Sequence, residues 1–433
     1  MMGEVMRKEI MPFVNLTCIK THKFKTSCLS VNLLTKLSKD TASKNALLPR
    51  VLRRGTSTHS DMESIAAALD DLYGARIEPV VRKRGEVHSF GFYADFADDD
   101  FLPEKEGLLE KVSDLVGEML LSPKTWDGRL TSEYVDSERT NLIEEIRAEV
   151  NDKRQYSTRR LIELMCSKEA YGTGRLGTES TAKKITAASL TKYYRQVLSQ
   201  SPLEIIYCGS ADEKRVELAF RHALAGLPRG KVDMDIGTEI YFDRPASSER
   251  KYTDHMDVTQ GKLAIGFRLG EVMKSPNYAA LIVFNAIFGG GLTSKLFLNV
   301  REKLSLCYYA SSVIEKHKGI MVVSSGIEFS KYEQTLSEIM KQLDAIKNGD
   351  IADWELDSAK KAVMSSYRTI MDQPHSIESY FFDQSITDLK LMPDEMAAYA
   401  DCVTAENVRV VANSVITDTI YFLAGKEADS VEE

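Results

Sequence analysis

Apolar residues recur along this chain at two periods, and the switches between them mark its elements. Leu29, Val31 and Leu33 alternate with Cys28, Ser30 and Asn32, which predicts a strand over residues 28–34. Residues 16–20 read as a strand before it. A helical segment then runs up to Arg54 and stops at Gly55. Ser60-Asp61-Met62-Glu63 predicts the next helix start, a capping box with the Ser60 hydroxyl at the N-cap and the Glu63 carboxylate three residues on. Residues 77–81 and 87–94 read as a hairpin around Arg84-Gly85, with the basic run Arg82-Lys83-Arg84 as its solvated tip. Leu108, Val112, Leu115, Val116, Met119 and Leu120 fall on one face of an amphipathic helix. A charged helix over 132–151, another over 159–166, a helix led by Thr186 and a strand over 203–209 complete the series.

Between Leu227 and Lys251 the periodicity gives way to Pro, Gly, Ser and charges, as in a linker. The same order then returns: a strand over 263–269, helices on either side of Gly289–Gly291, strands over 307–314 and 319–326, and an amphipathic helix ended by Asn348-Gly349. Thr186-Ala187 leads through a helix into Ile205-Ile206-Tyr207-Cys208-Gly209. Thr404-Ala405 leads likewise into Ile420-Tyr421-Phe422-Leu423-Ala424-Gly425. A repeat offset of roughly 220 residues means two copies of one α+β domain and not a short-period solenoid. The expected division is 10–227, a linker at 228–252, and 253–425.

A net charge of −8 argues against a nucleic-acid surface, which needs clustered basic residues. The six cysteines are far apart, none forms CxxC, and several lie in apolar runs, as expected of free thiols in a reducing cytosol. No stretch reaches the length of a membrane span, and MMGEVMRKEIMPF lacks an apolar signal core. The expectation is a cytoplasmic protein that engages neither membrane nor nucleic acid.

The most specific stretch is FGGGLTSKLFLNVREKLSLCYY, Phe288–Tyr309. Its glycine triplet ends one apolar helix and turns the chain. A second helix follows with Leu296, Phe297, Val300 and Leu304 at helical spacing, and a strand begins near Cys307. The glycines lack the spacing of a phosphate loop, so a helix corner is the better reading. Ser294-Lys295-Leu296-Phe297, Val300-Arg301-Glu302-Lys303 and Leu306-Cys307-Tyr308 together resemble the C-terminal motif of the M16 (pitrilysin-like) zinc metallopeptidases. That resemblance implies two homologous α/β-sandwich domains, each an antiparallel sheet backed by helices, joined as a clamshell. It also implies that Arg301 and Tyr308 contact substrate opposite a metal.

Active members of that family carry His-x-x-Glu-His before a Gly-Thr. The two histidines, four apart on one helix face, grip zinc, and the glutamate activates water. Counting back from Gly55-Thr56 puts Ala46 and Arg50 at the histidine positions and Pro49 at the glutamate position. Pro49 marks either a late helix start or a kink. Glu145 matches the distal ligand and, without partners, is expected to be an exposed helix carboxylate. None of the seven histidines stands at ligand spacing from another, and His59 reads as a solvated loop residue. The resemblance thus implies a subunit without zinc or catalysis of its own. It would heterodimerise with a zinc-bearing His-x-x-Glu-His paralogue and act with it on a peptide or unfolded segment. The alternative is a non-enzymatic assembly or peptide-holding protein on the same fold.

Overall fold

The computed structural model describes residues 5–244 and 247–426; Pro245 and Ala246, inside the expected linker, lie outside the described residues. In chain order the strands are β1 (Val5–Met11), β2 (Val14–Lys20), β3 (Thr26–Lys36), β4 (Arg76–Arg84), β5 (Val87–Ala97), the short pair β6 (Thr125–Trp126) and β7 (Arg129–Leu130), β8 (Leu203–Gly209), β9 (Arg250–Met256), β10 (Gly261–Arg268), β11 (Cys307–Glu315), β12 (Ile320–Ile327) and β13 (Ile416–Gly425). One sheet runs β1-β2-β8-β3-β5-β4 and the other β9-β13-β10-β12-β11. Strands β9 to β13 therefore repeat the order of β2, β3, β4, β5 and β8, with β1 as an addition to the first copy. The internal repeat read from the sequence is a repeat of topology.

The sheets are mixed and not purely antiparallel. β2 runs parallel to β8, and β9 parallel to β13, while the other pairs of the two sheets are antiparallel. Each parallel partner arrives after a long helical excursion, which a hairpin could not provide. β9 begins at Arg250, so the last residues of the expected linker are strand.

The chain forms two compact units, and neither is contiguous in sequence. Among the described residues the first holds 5–147, 173–237 and 370–389; the second holds 148–172, 238–244, 247–369 and 390–426. The contiguous division expected at 228–252 is corrected accordingly. Each unit takes one helix from the other half of the sequence: Pro374–Thr387 in the first and Lys153–Met165 in the second. The two helices hold equivalent places in the repeat.

In the first unit Leu29, Val31 and Leu33 join a large apolar core with Leu47, Leu48 and Phe92. The opposite face of β3 is polar, and it is buried as well. Ser30 Oγ donates to Glu378 of the helix Pro374–Thr387 at 2.5 Å, and Arg82 donates to both oxygens of Glu378 at 2.8 and 3.0 Å. Arg84 Nε reaches Asp383 at 2.6 Å, and Lys83 Nζ reaches the Thr173 carbonyl at 3.0 Å. The basic run is thus no solvated tip. The partners of Arg82 and Arg84 lie nearly 300 positions away in sequence and that of Lys83 lies 90 away, where hairpin reasoning cannot find them.

In the second unit the helix Lys153–Met165 buries Leu161 and Met165 against Ala264, Val322 and Tyr421. A Cβ on Gly266 would lie 2.5 Å from Met165 Sδ, so any larger residue there would make the Met165 side chain shift. Beyond the helix, Glu169 receives Arg268 at 2.5 and 3.1 Å and Lys318 at 2.8 Å, and Arg268 Nε also donates to Asp418 at 2.8 Å. Burial pushes the Glu169 and Asp418 carboxyls up. Hydrogen bonds from Arg268 and Lys318 to Glu169, and from Arg250, Arg268 and Thr419 to Asp418, outweigh it and hold both below their ordinary values.

Candidate functional site

The helix Ala42–Leu52 carries the positions where a metal would be gripped. It starts well before Pro49, which sits in its interior, so the late-start reading is excluded. Ala46 is buried in the core and offers only a methyl group. Arg50 Nη2 donates to Glu145 Oε2 at 2.6 Å, and Arg175 Nη2 stands 3.8 Å from the other oxygen. Glu145 is therefore not a free helix carboxylate but the acceptor of a guanidinium from the first helix. Methyl, pyrrolidine and guanidinium lend no lone pair to a cation, and Arg50 already holds the one carboxylate. These residues do not fit zinc. Among the described residues no three His, Cys, Asp or Glu side chains converge as a metal site elsewhere.

The adjoining corner is also occupied. His59 Nδ1 lies 3.1 Å from Glu118, and its backbone N–H donates to Thr56 Oγ1, so the histidine is paired and not merely solvated. The helix after it is capped one residue later than expected. Asp61 accepts from Ser64 N at 2.8 Å, and Ser64 Oγ accepts from Asp61 N at 3.2 Å. The two roles of the box are exchanged between hydroxyl and carboxylate.

The second candidate lies in the second unit, where backbone irregularities concentrate. The helix Tyr278–Phe288 ends at Gly289, whose φ is −152°, so no left-handed cap is involved. Close approach explains the glycine instead. A Cβ there would fall 2.7 Å from Ser312 Oγ, 2.8 Å from Ser312 N and 2.8 Å from Leu296 Cδ1. Residues Leu296–Lys303 then wind as a π-helix, with Leu304 N–H donating to Asn299 O at 3.2 Å. Its start is anchored by a buried ion pair, Lys295 Nζ to Glu355 at 2.9 Å. Ser305 follows with φ +48°. Tyr308 is the extra residue of a β-bulge, because Cys307 pairs with Ile327 while Tyr309 pairs with the adjacent Gly326.

These departures present two side chains to one open pocket of about 470 Å³, lined by Arg301, Tyr308, Leu306, Cys307, Glu328 and Lys331 among others. Arg301 stacks over the Phe297 ring at 4.8 Å and, among the described residues, has Glu302 at 3.5 Å as its one ion-pair partner. Tyr308 is 63% exposed, and its hydroxyl makes no hydrogen bond to a described residue. Burial pushes the Cys307 thiol up, so it is held as the neutral thiol. Sequence reasoning paired Arg301 with Tyr308 but missed Lys331 and Glu328. Both come from the turn after β12, which shares no motif with the Arg–Tyr stretch.

A duplicated α+β sandwich is the fold, and the chain belongs to the M16 peptidase family. Residues 184–363 match the family described as the peptidase M16 inactive domain. The chain is similar to the "Probable inactive metalloprotease YmfF" of Bacillus subtilis, with 34% identity covering 95% of this chain and 96% of that protein. It also resembles the "Uncharacterized zinc protease YmxG" of the same species, with 24% identity covering 60% of this chain and 63% of that one. Among solved structures it matches a conserved protein from Enterococcus faecalis with a TM-score of 0.90 and 28% identity, over 98% of this chain and 100% of that one.

Proposed function

We propose that this chain is the non-catalytic subunit of a two-subunit M16 peptidase, holding the substrate for a partner that carries His-x-x-Glu-His. The observation that carries the reading is a contrast within one molecule. At the metal positions Arg50 and Glu145 pair with each other at 2.6 Å, whereas Arg301, 3.5 Å from Glu302, and Tyr308 line one open pocket. The existence of inactive and zinc-protease relatives in one bacterium is consistent with such a division of labour.

In this reading the peptide adds as a strand along a sheet edge of the partner. Arg301 offers a planar set of N–H donors and Tyr308 one hydroxyl. Together they orient a substrate carbonyl and stabilise the charge that develops on its oxygen, while hydrolysis belongs to the partner. The zinc would be the partner's. The cytoplasm is the proposed location, with which six cysteines outside any disulfide agree. Among the described residues no helix is long and apolar enough to cross a membrane.

The test is reconstitution. This chain is mixed with a His-x-x-Glu-His paralogue from the same cell, and cleavage of a quenched fluorescent peptide is followed. This chain alone gives no turnover and the mixture gives more than the paralogue alone. Arg301→Ala or Tyr308→Phe removes most of the gain, about 100-fold for loss of a donor at a developing oxyanion. Full gain with both variants would retire the reading; so would zinc-dependent cleavage by this chain alone.

A further inference from the structure

We propose that the Arg301–Tyr308 pocket recognises a carboxylate, with Lys331 as its second cation. The proposal deepens the substrate-holding reading and rests on it for the claim that the ligand is a peptide. Every polar side-chain group that Arg301, Lys331 and Tyr308 bring to this pocket can donate, and two of the three are basic side chains. A backbone carbonyl in its ground state brings no formal charge to offset two cations. A pocket with two cations and a hydroxyl suits a ligand oxygen pair that carries charge.

Lys331 is fixed for this purpose by the irregular turn. Its Nζ donates to the carbonyl of Ser305, the residue at φ +48°, at 3.2 Å. That bond ties the turn after β12 to the end of the π-helix and keeps the ammonium beside the pocket. Resident carboxylates are present but loosely held. Glu302 is 3.5 Å from Arg301, Glu328 is 3.3 Å from Lys331, and both side chains are 54% exposed. Exposed pairs of this length contribute little and exchange readily, so an incoming carboxylate displaces them at small cost. The two sources of such a group in a peptide are its C-terminus and an acidic side chain.

The experiment uses the full chain and a short fluorescein-labelled peptide, otherwise uncharged, in three forms. One has a free C-terminal carboxylate, one a C-terminal amide, and one the amide with a single internal glutamate. Anisotropy titrations are expected to show at least one carboxylate form binding about tenfold tighter than the plain amide. Preference for the first form identifies a C-terminus as the ligand, and preference for the third an acidic side chain. Lys331→Met and Arg301→Met each abolish the preference, while Lys331→Arg keeps it. Because the readout is a ratio within each variant, it does not depend on how much of a variant folds.

Equal binding of the three forms, or binding of none, overturns the proposal. So does a preference that survives in Lys331→Met. A reconstituted peptidase that loses activity with Arg301→Ala while no carboxylate preference exists would sink this inference alone. A carboxylate preference without any effect of Arg301→Ala on turnover would sink the subunit reading and leave this binding site standing.

Discussion

Two arginine–glutamate pairs in the first unit look alike in sequence terms and differ in what surrounds them. Arg50 and Glu145 meet at 2.6 Å, but the glutamate side chain is 41% exposed. Arg82 grips Glu378 with both nitrogens where the glutamate is fully buried. Water screens the first pair, so Arg50→Ala should cost about 1 kcal/mol or less in urea denaturation. Arg82→Ala strands a carboxylate in the interior and should cost about 3–5 kcal/mol. Equal losses would show that burial does not rank these pairs. The identity of Arg50 at a metal position was legible by counting from Gly55-Thr56. Glu145 was singled out by the family motif but read as partnerless, because nothing in the spacing says that the arginine replacing a histidine would reach a carboxylate 95 positions away.

The elements around Phe288–Tyr309 show how far periodicity reaches. Leu296 and Val300 recur four apart and are both buried, as expected. Such spacing cannot separate ordinary helical winding from the wider π turn, since both keep residues four apart near one face. The bulge at Tyr308 was equally invisible, because it is a property of the pairing with β12 and not of β11. The glycine triplet was recognised as a corner but for the wrong cause. Its first member is required by packing against Ser312 and Leu296, and its third meets nothing within 4 Å of an added Cβ. Gly289→Ala should therefore cost about 1–3 kcal/mol, because the Ser312 backbone cannot step aside. Gly291→Ala should fall within about 0.5 kcal/mol of the parent. Thermal or urea melts of the two variants decide this, and similar values would point to chain direction, not contact, as the reason for the glycines.

At the scale of the whole molecule, the repeat and its fold class were legible because both depend on the order of elements along the chain. The exchange of one helix between halves was not, since each helix keeps its place in that order whichever sheet it covers. The exchange brings Glu169 to Arg268 and Lys318, and it carries a pH signature. Glu169 and Asp418 are held below their ordinary values of 4.5 and 3.8. Their contribution is therefore fully present above those values and is lost as pH falls through the lowered ones. Glu169→Gln should be clearly less stable than the parent at pH 7, and the gap should narrow steadily below pH 4.5. A gap that stays constant to pH 3, in urea midpoints, would mean the carboxylate's charge is not what Arg268 and Lys318 hold.

The same exchange sets the timetable of folding during synthesis. A ribosome delivers the N-terminal half first. The first sheet nevertheless takes its cover from residues 370–389, nearly 300 positions after its own basic run. Until those residues emerge, Ser30 and Arg82 lack the glutamate they hold in the finished sheet, and the first unit cannot close before synthesis has passed Leu389.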